Sequence, residues 1–373
     1  MLREFNACMG MLGPGYVLFG LIFEVWVNAI HCCVNPNTSD LVMKMVRIFF
    51  ILFVGMLLFI GCKQTDVVII TSFPIEKSLE YSAFYTHDII DPYTVAVSDK
   101  YLFLAGINSE LIFQQYELPE LKYTRSFGVR GRGPGEFVVS PLIYISRNKE
   151  KLYMNHAERK QFGAYLILNN GELLLDNEFS TKYGFLYNHF NIINDSLLIY
   201  NTIPSKIGIE IIDLLTDKTP SEIEFTKNNH YTGDSYCHPD NGTLSVNDRY
   251  IVYAYSFRKQ IDIYDIKNLE LKVRLLSKGQ KEKITTSVQS KRYYNDVYVT
   301  ENFIYACYVD RDIDDEQNKY FIEVYDFMGT PKKRFNMGVH VGNGLFAVTP
   351  DDRTIYSYSY TLDKILKFDI TDF

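Results

Sequence analysis

The densest basic cluster in the chain is Arg125, Arg130 and Arg132, set among Gly128, Gly131, Gly133 and Gly135 and followed by Glu136. Arginines among glycines could seat a carboxylate or a phosphate, because a guanidinium fork matches a planar anion and glycine admits close backbone approach. The spacing does not follow G-x-G-x-x-G, and the segment joins strand to strand, with no helix N-terminus to hold a phosphate. The plainer reading is a connection between sheets whose arginines are solvated or pair with Glu136. Arg130, Arg132 and Glu136 remain candidates for an anionic ligand at one face of the fold.

Two further groups could do chemistry. His230, Cys237 and His238 share a long loop, Lys227 to Asn241, with Tyr231 and Tyr236. Metal binding would need a third ligand at a suitable spacing, and none is visible, so His230 and His238 are read as surface-loop residues with a ligand role. Asp310-Arg311-Asp312-Ile313-Asp314-Asp315-Glu316 invites a calcium reading. An EF-hand loop needs Gly at its sixth position and Glu at its twelfth, where this chain has Asp315 and Phe321, so a solvated hairpin tip is the better account. No Gly-x-Ser-x-Gly elbow, HExxH pair or clustered zinc ligands occur, and no metal or cofactor is expected. The carboxylates are scattered, and a linear sequence cannot show two of them converging.

The elements that must carry these residues are strands. Of 373 residues, 29 are Tyr and 26 are Phe, which suit half-buried pleated surfaces. The net charge of -7 argues against nucleic acid, whose binders carry a basic excess. A polar turn ahead of a strong strand recurs at Asp99, Asn148, Asp195, Asp248, Glu301 and Asp352, at intervals of 49, 47, 53, 53 and 51 residues. The next strand of each copy ends on an acid or amide: Glu117, Asn169, Asp213, Asp265, Asp326 and Asp369. Such side chains cap the backbone of a following turn, so these are structural residues. A further strand follows in the first five copies, whereas the sixth breaks off at Phe373. Val67 to Phe73, VVIITSF, is a strand with no copy around it. The economical reading joins the two: the fold is all-β, a six-bladed β-propeller in which Val67-Phe73 completes the last blade and closes the ring.

The N-terminus lies outside that repeat. Lys44 and Arg47 precede an apolar run, Ile48 to Ile60, then Gly61-Cys62 and polar residues. Thirteen apolar residues are too few to span a bilayer, which needs about 20, and they fit a secretory signal. Leu58-Phe59-Ile60-Gly61-Cys62 resembles a bacterial lipobox, in which the Cys is diacylated and becomes residue one; Phe59 departs from the Leu preferred there. The expected division is 1-42 an upstream extension, 43-61 a lipoprotein signal peptide and 62-373 the propeller. A start at Met43 or Met45 would leave 1-42 unmade; a second transmembrane helix around Leu12 to Ile30 is the alternative. Once Cys62 is set aside, only Cys237 and Cys307 remain in the propeller, more in keeping with two separate thiols than a disulfide framework.

Phe127-Gly128-Val129-Arg130-Gly131-Arg132-Gly133-Pro134-Gly135-Glu136-Phe137, then Pro141, looks like the linker of NHL-repeat propellers. The same form occurs in the TolB-like six-bladed propeller lipoproteins of Gram-negative bacteria. The motif spans only 127-141, and the lipobox and sixfold period extend the resemblance over 62-373. It implies the fold and an exported address in the cell envelope, at the outer membrane, held to the membrane through Cys62. It implies no reaction. The expected function is a non-enzymatic module that binds a protein, small molecule or glycan through one face of the ring. The alternative is a hydrolase or lyase acting on glycans, lactones or peptides from a central-channel site. An axial pocket with converging acids, His or metal would favour the enzyme, and a channel filled with Tyr and Phe the binding module.

Overall fold

A computed structural model describes residues 65–371, apart from 88, 90, 134, 147–150, 182–189, 203–206, 226–236, 279–285, 287–289, 311–318 and 339–344. The chain divides after Gln64 into two compact units, of which the second, Thr65–Phe373, contains every described residue. Cys62, His230 and the acidic tip 311–316 therefore lie outside the described residues.

The described chain is built almost wholly of strands. Three come before the first repeat: β1 (Asp66–Ile70), β2 (Ile75–Ser78) and β3 (Tyr81–Tyr85). Blade one is β4 (Pro92–Val97), β5 (Tyr101–Gly106), β6 (Leu111–Glu117) and β7 (Lys122–Val129). Blade two is β8 (Ile143–Ile145), β9 (Lys151–His156), β10 (Gln161–Ile167) and β11 (Leu173–Ser180). Blade three is β12 (Phe190–Ile193), β13 (Leu197–Thr202), β14 (Gly208–Asp213) and β15 (Lys218–Glu224). Blade four is β16 (Gly242–Val246), β17 (Tyr250–Tyr255), β18 (Gln260–Asp265) and β19 (Leu271–Ser277). Blade five is β20 (Tyr294–Val299), β21 (Ile304–Asp310), β22 (Lys319–Tyr325) and β23 (Pro331–Gly338). Blade six has β24 (Phe346–Val348), β25 (Thr354–Ser359) and β26 (Lys364–Asp369). One 3-10 turn, Ala157–Arg159, lies wholly within the described residues.

The N-terminal segment closes the ring, and it does so with a different strand from the one its hydrophobicity suggested. β3 pairs antiparallel with β26, Tyr81 opposite Phe368 and Tyr85 opposite Lys364, and so supplies the fourth strand of blade six. β1, the apolar run, lies parallel to β19 as a fifth strand of blade four, and β2 lies parallel to β23 in blade five. The physical reason is exposure. The outermost strand of a blade faces solvent on one side, so apolar content does not mark it: Tyr85 in β3 is 79% exposed. β1 uses its alternation to set Val68 and Ile70 against the blade four and five core, while Val67 and Ile69 face outward.

Six hydrophobic clusters hold the ring, each between neighbouring blades. Phe103 and Phe113 meet Leu152 and Met154; Tyr153 and Phe162 meet Leu198 and Ile212; Ile199 and Ile211 meet Tyr253 and Ile251. Val252 and Ile263 meet Ile304 and Tyr294; Cys307 and Ile322 meet Ile355 and Leu366; Tyr356 and Ile365 meet Leu102 and Leu104. The last of these joins blade six to blade one. Because every blade buries both faces, each strand pair contributes apolar area twice, which lets sheets of four strands hold together without helices.

The turn chemistry follows the sequence. The Asp213, Asp265, Asp326 and Asp369 side chains accept from the backbone N–H of Leu215, Lys267, Met328 and Thr371 at 2.9–3.0 Å. Cys237 and Cys307 are both buried and neither is in a disulfide; Cys307 packs within the core as a small apolar residue.

Candidate functional site

The innermost strands of all six blades enclose a channel on the ring axis, with a free volume of about 180 Å³. Its lining includes Thr94 to Val97, Leu142 to Ser146, Leu244 to Val246, Asp296 to Glu301 and Leu345-Phe346. Two aromatic pairs stand in it, Tyr144 with Phe190 (ring centroids 6.1 Å apart) and Tyr298 with Phe346 (6.2 Å). Aromatic side chains thus narrow the channel without filling it. Polar atoms come from Thr94, Ser146, Asn191, Ser245 and Thr300, and the charged lining residues are Asp296 and Glu301.

Several polar groups of the lining also stitch blades together. Asn191 Oδ1 accepts from Val246 N–H (3.4 Å), Ser245 Oγ from Val299 N–H (3.2 Å), and Asp296 Oδ1 from the Thr243 hydroxyl (3.4 Å). These side-chain bonds join inner strands that belong to different sheets and share no backbone ladder. Asp296 Oδ1 also accepts from Val297 N–H at 2.8 Å.

The glycine segment is the expected crossover from β7 to β8. Gly128 has φ +78°, and a Cβ there would come within 2.5 Å of the Phe113 ring. Arg130 is spent on the backbone: its guanidinium donates to the carbonyls of Ile107, Ser109 (3.2 Å) and Val138 (3.4 Å) and to Ser140 Oγ (2.8 Å). Glu136 folds back on the linker, accepting from Gly133 N–H at 2.7 Å, and a Cβ on Gly131 would collide with its carboxylate. Arg132 is exposed. Arg125 donates to Gly171 O (2.6 Å) and Gln115 Oε1 (3.0 Å), and the channel lining includes none of these arginines.

His238 is buried, 4% exposed, and stands apart from the channel lining. Its Nδ1 accepts from Asp240 N–H at 3.0 Å, so the ring is the neutral form that offers a lone pair there. Burial, reinforced by the Arg258 guanidinium, lowers its pKa. Arg258 pairs with Asp240, donates to Pro239 O (3.1 Å) and lies over the Tyr255 ring, locking the end of the loop.

One set of functional-looking residues escaped the sequence reading. Three positions before the turn acid, blades one, three, four and five carry Gln114, Glu210, Asp262 and Glu323, all buried. Each receives a tyrosine hydroxyl: Tyr116 to Gln114, Tyr200 to Glu210 (2.7 Å), Tyr255 to Asp262 (3.0 Å), Tyr294 and Tyr325 to Glu323 (2.9 and 2.7 Å). Asp262 also holds Arg274 bidentately at 2.8 and 2.7 Å, and Glu323 holds Lys259 at 2.9 Å. Burial foremost, with the adjacent carboxylate adding to it, drives the pKa of Tyr294 and Tyr325 well up, so these hydroxyls stay donors. The signal was present as acid-or-amide, x, Tyr, acid: Gln114 to Glu117, Asp262 to Asp265 and Glu323 to Asp326.

Fold and channel together define a six-bladed propeller with an axial cavity. The chain belongs to the TolB-like 6-blade propeller-like family, whose match covers residues 71–346. No curated protein matches it. Among solved structures, that of a candidate exported protein from Bacteroides fragilis is 14% identical, with a TM-score of 0.51, over 81% of this chain and 99% of that one. A DUF4221 family member from Bacteroides vulgatus is 11% identical, with a TM-score of 0.48, over 78% and 98% of the two chains. The likeness to the Bacteroides fragilis structure is one of fold.

Proposed function

We propose that this chain is an exported, lipid-anchored propeller of the cell envelope that binds a small ligand in its axial channel. The channel carries the reading: six inner strands from six blades converge on one cavity whose lining mixes two aromatic pairs with polar groups such as Thr94, Asn191, Ser245 and Asp296, and a concave site with convergent polar groups is where a small ligand binds. Anchoring rests on the signal-like run ending in Gly61-Cys62, with residues 43-61 removed and Cys62 acylated; the domain division of the sequence reading is kept as part of the proposal. Membrane fractionation after globomycin treatment and of Cys62→Ser tests the anchor, and a Cys62→Ser protein that still sediments with membranes refutes it. The channel is tested by ligand-observed NMR against a fragment collection. Binders should be lost in Ser245→Trp, which fills the cavity, while its thermal midpoint shows that the ring persists. Binders that survive the filled channel refute the site.

A further inference from the structure

Blades one to five are antiparallel meanders of four strands. Their first and third turns therefore lie at one end of each sheet, and the second turn and the crossover to the next blade lie at the other. The ring has a turn face and a crossover face. Bonds between neighbouring blades, such as Lys151 to Asp195 (2.8 Å) and Asn302 to Asp352 (2.8 Å), run around the turn face. We infer that the turn face seats on a lipid bilayer along blades three, four and five, with Leu215 and Met328 in the boundary between headgroups and acyl chains. This step rests on the acylation of Cys62.

Among the described residues, Leu215 (69% exposed) and Met328 (65%) are the most exposed large apolar side chains after Tyr85. They hold equivalent places, two residues after the turn acids Asp213 and Asp326, in the third turns of blades three and five. Blade four stands between them and has the exposed Lys267 at that place. The acids fix both tips, since Asp213 Oδ1 accepts from Leu215 N–H (3.0 Å) and Asp326 Oδ1 from Met328 N–H (3.0 Å). An apolar side chain held out on a rigid turn gains free energy by entering a lipid interface and none by staying in water.

The N-terminal segment emerges in the middle of this arc. The Thr65 hydroxyl donates to Leu271 O (3.3 Å) at the start of β19, just after the turn that carries Lys267, and β1 then runs along β19 away from the turn face. Thr65 is three residues from Cys62, a reach of about 10 Å when fully extended. A lipid on Cys62 thus draws the turn end of blade four to the headgroups and sets one apolar tip on either side of it. Lys267, between the tips, suits lipid phosphate. The other exposed apolar group, Ile107, Leu111, Val129, Val138 and Val139, belongs to the crossover end of blade one, half a ring away and on the opposite face. Seating by the turn face leaves that crossover face to solution.

The test is tryptophan quenching in the full-length, acylated protein, reconstituted into phosphatidylcholine vesicles with brominated acyl chains. Removal of residues 1-61 takes away Trp26, the single native tryptophan, so each variant carries one reporter. Leu215→Trp and Met328→Trp should be quenched about threefold more than Val138→Trp on the crossover face. Adding Met328→Asp to Leu215→Trp should lower its quenching about twofold, since an acid on the neighbouring tip resists burial among acyl chains. All these positions are exposed, and an unchanged thermal midpoint shows that the ring persists. Tips quenched no more than Val138→Trp, in protein that floats with the vesicles, overturn the seat and leave the anchor standing, as does quenching of Leu215→Trp that Met328→Asp does not alter. Protein that fails to float with the vesicles overturns anchor and seat together.

Discussion

Asp262 offers the sharpest test of how this ring is held. Its side chain is 0% exposed, and its two oxygens receive both arms of the Arg274 fork, the hydroxyls of Tyr255 and Tyr264 and the Gln260 amide. Asp262→Asn removes the charge and turns an NH₂ donor towards at least one of these donors. Removing one partner of a fully buried pair costs about 3–5 kcal/mol. Arg274 keeps 36% of its side chain exposed, so its stranded charge is partly hydrated and the lower end applies, about 3 kcal/mol. Adding Arg274→Met to Asp262→Asn should recover part of that loss, because the stranded charge goes while the Asn oxygen still accepts from the buried tyrosine hydroxyls. Urea unfolding can be followed by tyrosine emission, since the single tryptophan, Trp26, precedes the propeller. A loss below about 1 kcal/mol for Asp262→Asn, or a double variant no more stable than the single, would refute the reasoning.

Other outcomes are expected from the same structure. His238 has a lowered pKa in the folded state through burial and Arg258, so the unfolded chain takes up its proton first as pH falls. Stability should therefore be full above the ordinary histidine value of 6.5 and decline as pH drops from there to the depressed folded value. His238→Asn keeps an acceptor for Asp240 N–H and should shrink the fall in thermal midpoint between pH 7.5 and 5.5, leaving the share due to the similarly lowered His156; an unchanged fall contradicts this. Gly128→Ala combines φ +78° with a 2.5 Å approach to Phe113 and should cost about 3 kcal/mol by urea titration, whereas Gly135→Ala, with φ +77° but open space, should cost about 1 kcal/mol. Arg130→Ala removes four bonds that fasten the crossover and should cost about 2 kcal/mol, with hydrogen exchange rising first at Ile107 to Ser109 and Val138 to Ser140; exchange spread evenly over the ring would argue against a local brace.

What the residues themselves determined was the repeat. Period-two strands and turn acids such as Asp213, Asp265 and Asp326 act within a few positions of themselves, so their chemistry is written locally and can be counted along the chain. The lack of a disulfide between Cys237 and Cys307 and the crossover role of the glycine segment were legible as well. Sequence did not determine which strand closes the ring, because closure by β3 depends on a ladder with β26 some 280 residues away, and an outer strand carries no apolar signature. Nor could it show that Arg130 is consumed by carbonyls of the β5–β6 turn, or that His238 and Arg130 lie off the channel that Asp296 lines. Asp296 attracted no notice in a linear reading, standing alone between Asn295 and Val297. Only radial assembly brings it onto the axis with aromatics from three other blades, since a channel is made of one strand from each blade and has no contiguous sequence of its own.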